Sequence, residues 1–132
     1  SVSLPTRRSR VRIPLPAPDL KMNDLAKKKC VECDGNIPPF DTKEIHKYLK
    51  KVDGWDVKSN EDKSFFLIKV FNFKNFEESQ TFVNQVSHIA EQENHHPDIC
   101  FGWGYCKVKI FTHAIKGLAE SDFILAAKID EI

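Results

Sequence analysis

Hydrophobic and polar positions change their period several times along this chain, and each change marks an element. In DTKEIHKYLKKV, residues 41–52, Ile45, Tyr48, Leu49 and Val52 recur at the i, i+3, i+4, i+7 spacing of one helix face. Asp41 stands at the N-cap with Glu44 three residues on, a capping-box spacing, and Asp53-Gly54 ends the helix. The period then drops to two. Trp55 and Val57 alternate with polar residues, Ser59-Asn60-Glu61-Asp62 supplies turn chemistry, and Phe65 to Phe71 is β-branched and aromatic; this stretch predicts a hairpin. A second helix follows from the N-cap Asn75, with Glu78 at the capping-box position and Phe76, Phe82, Val83, Val86, Ile89 and Ala90 on one face. It cannot run far past Glu93, because Pro97 pushes His96 out of helical geometry.

Asp98 to Trp103 predicts a short strand, and Gly102 and Gly104 flank a turn. Tyr105 to Thr112 predicts a longer strand, with Cys106, Val108, Ile110 and Thr112 on one face and Lys107 and Lys109 on the other. Gly117 breaks the chain before a last helix running from about Glu120 to Ile132, with Leu125, Ile129 and Ile132 inward. The order α-β-β-α-β-β-α, with strands joined pairwise by tight turns, predicts an α+β fold: a four-stranded antiparallel sheet with three helices packed on one face. Open sheet edges expose unpaired backbone, so a homodimer or homotetramer is expected.

Composition adds boundaries. Six of the seven prolines fall within residues 1–40. Residues 1–21 read as a disordered extension or leader, residues 22–40 as an irregular Cys/Pro-containing arm packed on the body, and residues 41–132 as the compact domain. Residues 1–21 hold five Lys/Arg and one Asp, so a chain of net charge +1 leaves a mildly acidic body. That argues against a nucleic-acid partner, which needs a basic surface. No apolar run nears the roughly 20 residues of a membrane span, so no membrane association is expected. The location expected is cytoplasmic, with organellar targeting by the Arg-rich residues 1–21 as the lesser alternative. Reduced thiols fit the same setting. Cys30-x-x-Cys33 lacks the βαβ context of a redox motif, and the five-residue gap between Cys100 and Cys106 does not suit a zinc knuckle; packing of the arm is the better reading. His46 and His88 read as surface or packing residues, Trp103 and Phe101 as core or dimer packing, and Lys27-Lys28-Lys29 as a solvated run.

The candidate chemistry lies in ENHHPDICFGWGYCKVKIFTH, residues 93–113. His95 can close the second helix while Pro97 sets His96 in extended geometry, so the two rings can flank one pocket from different angles. His113 ends the last strand. Imidazoles titrate near neutral pH, and three of them without a nucleophilic serine point to acid/base work. Asp122, nine residues beyond His113, is placed to orient His113 or raise its basicity. Zinc is the rival reading, since three imidazoles form a known catalytic set; an i, i+1 pair converges on an ion less readily than i, i+2 or i, i+4. No metal and no cofactor is the expectation.

Glu91-x-x-x-His95-His96-Pro97, then a hairpin, then Thr112-His113 and Gly117-Leu118-x-x-x-Asp122, resembles the pterin-4a-carbinolamine dehydratase family. The resemblance extends through Asp53-Gly54-Trp55 and FNFKNFEES, covering roughly residues 41–132. It implies dehydration of a 4a-hydroxytetrahydropterin to the quinonoid dihydropterin, with His95, His96 and His113 as the acid/base and hydroxyl-binding groups and Asp122 supporting His113. It implies that Asn94, Pro97, Thr112 and Trp55 line the pterin site. It also implies a functional link to an aromatic amino-acid hydroxylase through tetrahydrobiopterin recycling. Some family members are dimerisation cofactors of a transcription factor, which gives the alternative of a protein-binding module, with the last helix as its natural face. Gly104, Cys106 and Ala119 depart from the family pattern; Ala119 deprives the last helix of an N-cap hydroxyl that Ser121 is placed to replace.

Overall fold

A computed structural model describes residues 25–30 and 37–132. The expectations for residues 1–21 and for Cys33 lie outside the described residues. The elements run α1 (Thr42–Leu49), β1 (Asp56–Ser59), β2 (Phe65–Asn72), α2 (Phe76–Glu93), β3 (Asp98–Gly102), β4 (Tyr105–Ile110), a 3-10 turn (His113–Ile115) and α3 (Glu120–Asp130). The strands form one antiparallel sheet in the order β1-β2-β4-β3. The predicted α+β architecture and element order hold.

Local chemistry explains where the helices begin. The Asp41 side chain accepts the Glu44 N–H at 2.9 Å, and the Asn75 side chain accepts the Glu78 N–H at 2.9 Å. Each satisfies a donor that the first helical turn leaves unpaired. The return half of the second box differs from expectation, because the Glu78 carboxylate takes the N–H of Lys74 rather than that of Asn75. The α2 helix ends at Asn94, which adopts left-handed geometry at φ 52° and returns its N–H to the carbonyls of Ala90 and Glu91.

Alternation along β4 sets the core. Cys106, Val108 and Ile110 have no exposed surface, and they stand opposite Phe71, Lys69 and Leu67 of β2. Against this face pack Phe82 and Val86 of α2 and Phe123, Ile124, Leu125 and Ala127 of α3. Each fully buried Leu or Phe here contributes about 1.5–3 kcal/mol. Leu25 and Ala26, in a helical turn at residues 25–27, join the same core.

Three packing expectations need correction. Phe76 belongs to the first turn of α2 but is exposed, tilted against Phe101 at 5.5 Å between ring centroids. Trp103 is not core: it sits in the β3–β4 turn, beyond the last paired residue Gly102, and is 71% exposed. The last strand stops at Ile110, and Thr112 instead forms an isolated bridge with Gly117. His46 and His88 are exposed, as expected for surface residues.

Candidate active site

The end of α2, the start of α3 and the chain leaving β4 meet around one carboxylate. Asp122 has no exposed surface. Its Oδ1 lies 2.8 Å from Nε2 of His95, while its Oδ2 accepts the Thr112 hydroxyl at 2.7 Å and the Ala119 N–H at 2.8 Å. Ala119 is the N-cap of α3 and has no side chain to offer. Asp122, at the third helical position, reaches back to the N-cap N–H and satisfies it. One residue therefore caps a helix and holds a histidine. The expected replacement cap, Ser121, is not needed.

The backbone explains why His95 points inward. Left-handed Asn94 turns the chain, the His95 N–H closes on the Ala90 carbonyl at 3.1 Å, and the ring faces α3. His95 is half-buried, whereas its neighbour His96 is exposed and its Nε2 pairs with the exposed Glu91 carboxylate. The adjacent rings thus diverge, one toward the interior and one toward solvent. Glu91 was part of the sequence motif without a role. Its i, i+4 spacing points to His95, but the helix ends at Asn94, so the histidine that returns to it is His96.

Asp122 was expected to support His113. The structure gives its three hydrogen bonds to His95, Thr112 and Ala119 instead. His113 opens a small loop, residues 113–116, whose neck is the Thr112–Gly117 bridge: the Thr112 N–H meets the Gly117 carbonyl at 2.9 Å. The His113 ring is exposed and rests on Phe111, with centroids 4.2 Å apart. The β3–β4 register pairs Asp98 with Lys109. Asp122 joins the side chains of His95 and Thr112. His96 and His113 are thus the chain neighbours of the two side chains that Asp122 joins.

The expected substrate-binding residues divide. Asn94 is exposed at the helix end, Pro97 is half-buried, and Thr112 is buried with its hydroxyl committed to Asp122. Trp55 does not belong to this group. It is buried, and its Nε1–H donates to Asp130 at 3.0 Å. Asp130 lies eight residues beyond Asp122 on α3, about 12 Å along a helix that rises 1.5 Å per residue. No side-chain cluster among the described residues has three His, Cys, Asp or Glu groups placed to hold a metal ion.

Oδ2 accepts two donors, and with Asp122 as a carboxylate the Oδ1 contact calls for the proton on His95 Nε2. An oriented imidazole is a group that can give and take a proton on a bound molecule.

An α+β frame that mounts a histidine–carboxylate pair at one end of a single sheet, with further histidines at its rim, defines the class of protein. Residues 38–132 match the family described as Pterin 4 alpha carbinolamine dehydratase, and the chain belongs to that family of hydro-lyases. A protein of Rubrobacter xylanophilus named as a pterin-4-alpha-carbinolamine dehydratase is 46% identical over 111 residues, covering 84% of this chain and 100% of that protein. One of Methylococcus capsulatus with the same name is 46% identical over 108 residues, 82% of this chain and 92% of its own length. Among solved structures, a transcriptional coactivator/pterin dehydratase from Brucella melitensis superposes with a TM-score of 0.62 at 26% identity, over 70% of this chain and 96% of that one. A pterin dehydratase-like protein identified as a RuBisCO assembly factor superposes with a TM-score of 0.50 at 22% identity, over 59% of this chain and 87% of that one, and shares the fold.

Proposed function

We propose that this chain dehydrates a 4a-hydroxytetrahydropterin by histidine acid/base catalysis, returning the pterin to a form that re-enters tetrahydrobiopterin recycling. The reaction breaks the C4a–OH bond, removes a proton from a ring nitrogen, forms a C=N bond and releases water, leaving the quinonoid dihydropterin. One group must protonate the departing hydroxyl and another must accept the nitrogen proton. Side chains from His95, His96 and His113 supply titratable groups of both kinds at one end of the sheet, and Asp122 holds the ring that lies deepest. The observation that carries this reading is the buried His95–Asp122 pair at 2.8 Å in a member of this family.

A cytoplasmic location, a functional link to an aromatic amino-acid hydroxylase, and a homodimer or homotetramer belong to the same reading. The sheet has β1 and β3 at its edges, the positions through which two sheets can join. The alternative, a dimerisation cofactor of a transcription factor, is supported by the name of the Brucella relative alone.

The test is dehydration of a 4a-hydroxypterin by the full chain and by His95→Ala, His96→Ala and His113→Ala. Each substitution is expected to lower kcat/KM by about 100-fold, the range for losing a general acid or base, with the far-ultraviolet circular dichroism unchanged. Full activity in the double variant His96→Ala/His113→Ala overturns the mechanism. Capture of a transcription factor that survives all three substitutions, in a chain without dehydratase activity, favours the alternative.

A further inference from the structure

A buried carboxylate next to the histidines has no part in the mechanism. Glu93, the last residue of α2, has a side chain only 6% exposed. Its Oε1 accepts the backbone N–H of Cys30 at 2.9 Å. Its Oε2 faces Nζ of Lys128 on α3 at 3.7 Å and, more loosely, Nζ of Lys29 at 3.9 Å. The Lys128 ammonium donates in turn to the carbonyl of Ala26 at 2.6 Å. Residues 25–30 therefore lie across the junction of α2 and α3 and bond to both.

The same segment grips the start of α3. The Cys30 thiol donates to the carbonyl of Ser121 at 3.4 Å, the peptide that leads directly into Asp122. Lys28 pairs with Glu120 at 2.9 Å, and Glu120 also accepts the Tyr48 hydroxyl at 3.1 Å. Burial, followed by the nearby Glu93 carboxylate, pushes the Cys30 thiol up to about 12, so it stays protonated and keeps its hydrogen bond to Ser121.

Two rungs thus join the end of α2 to α3. His95–Asp122 is one; Glu93–Lys128 is the other. The Glu93 and His95 positions are two residues apart, while Asp122 and Lys128 are six apart, about 9 Å along the helix. A single hydrogen bond leaves a helix end free to pivot, and an ion pair at that separation opposes the pivot. Catalytic geometry is sensitive to shifts well below an ångström, so such a constraint matters at His95.

We propose that residues 25–30 form a strap that, through Glu93, holds the end of α2 at the spacing the His95–Asp122 pair requires, and that Glu93 is a positioning residue of the histidine site. This rests on the dehydratase reading for its kinetic readout and on the geometry alone for its spectroscopic one. Glu93 touches neither substrate nor the reacting groups. Its effect passes through the α2 terminus to His95.

The experiment compares Glu93→Ala and Glu93→Gln with wild type, all in the full chain. Glutamine keeps an acceptor for Cys30 N–H but loses the attraction to Lys128. Glu93→Ala is expected to lower kcat about tenfold with KM changed less than about twofold, and Glu93→Gln to recover kcat to within about threefold of wild type. In 15N spectra of the ring nitrogens at fixed pH, Glu93→Ala moves the His95 signals toward those of a free imidazole and leaves those of His46 and His88 in place. Wild-type kcat together with unshifted His95 signals overturns the proposal, and so does a lowered melting temperature with unshifted His95 signals, which marks a purely structural role. If Glu93→Ala fails to fold, Lys128→Met frees the strap from α3 by removing both the bond to the Ala26 carbonyl and the pairing with Glu93, and is read in the same way. A wild-type chain with no dehydratase activity overturns the functional reading, and the His95 signals then decide the strap by themselves.

Discussion

Helix α3 carries a buried carboxylate near each end, and the two differ in their partners. Asp122, near the start, joins His95, the Thr112 hydroxyl and the Ala119 N–H. Asp130, at the end, joins Lys69 at 2.8 Å, Trp55 Nε1 at 3.0 Å and the Asp53 N–H at 3.3 Å. Both are well satisfied by hydrogen bonds. The Asp130 partners are a lysine, an indole and an amide, groups that only donate hydrogen bonds. Lys69 is further held over the rings of Trp55 and Phe71. Asp122 has one partner, the His95 imidazole, of a kind that can both donate and accept. The same device, a carboxylate on a helix drawing in three donors, serves as a clasp at one end and as the support of a reactive group at the other.

Replacing Asp122 should have the largest effect. Asp122→Ala leaves three buried donors without an acceptor. It is expected to cost about 3 kcal/mol of stability and to lower kcat/KM about 100-fold, measured by urea unfolding and by dehydratase assay. Retention of activity despite lost stability would place the chemistry elsewhere. Asp130→Ala is the matched control. It strands the half-buried Lys69 and is expected to cost about 2–3 kcal/mol while leaving kcat within about twofold of wild type. A drop in kcat as large as that of Asp122→Ala would erase the distinction between the two ends.

A further test concerns pH. Burial is the main reason the Asp130 carboxyl is raised above the ordinary carboxylate range, against the opposing pull of Lys69. A raised carboxyl favours the folded state in its protonated form. Its stability contribution is full below the unfolded value and is lost as pH rises through the folded one. The unfolding free energy of wild type relative to Asp130→Asn should therefore decline as pH rises through the mildly acidic range. A difference that grows across that range would mean the ion pair with Lys69 dominates.

The smallest effect is at the thiols. Cys100 is exposed, whereas Cys106 is buried and its thiol is pushed up to about 11, and that of Cys30 to about 12. Alkylation of the native chain near pH 8, read residue by residue in a mass spectrometer, should label Cys100 well before Cys30 or Cys106. Early labelling of Cys30 would mean that the strap opens readily, which bears on the Asp122 end because Cys30 bonds to the Ser121 carbonyl.

Much of this was legible from periodicity. The i, i+3, i+4, i+7 face of α1 and the alternation of β4 follow from burial on a regular backbone, so composition along the chain reveals them. The end of α2 near Glu93 was legible too, because Pro97 restricts the residue before it, His96; the left-handed turn at Asn94 was not. What remained hidden was which side chains meet across elements. The Asp122 partner is His95 rather than His113, and Trp55 serves Asp130 rather than the histidines. Spacing along the chain does not report these pairings, because each joins residues 27 or more apart that are brought together only by helix and sheet packing.

The sequence by itself determined the elements, their order and the family, and it supplied three histidines near a proline. Local rules suffice for this, since caps, breakers and hydrophobic period act over a few residues. Only the tertiary structure decided that Asp122 holds His95 and that residues 25–30 bind across α2 and α3. These depend on where α3 lies against the end of α2. That placement is set by the shared core, whose packing no short stretch of the chain encodes.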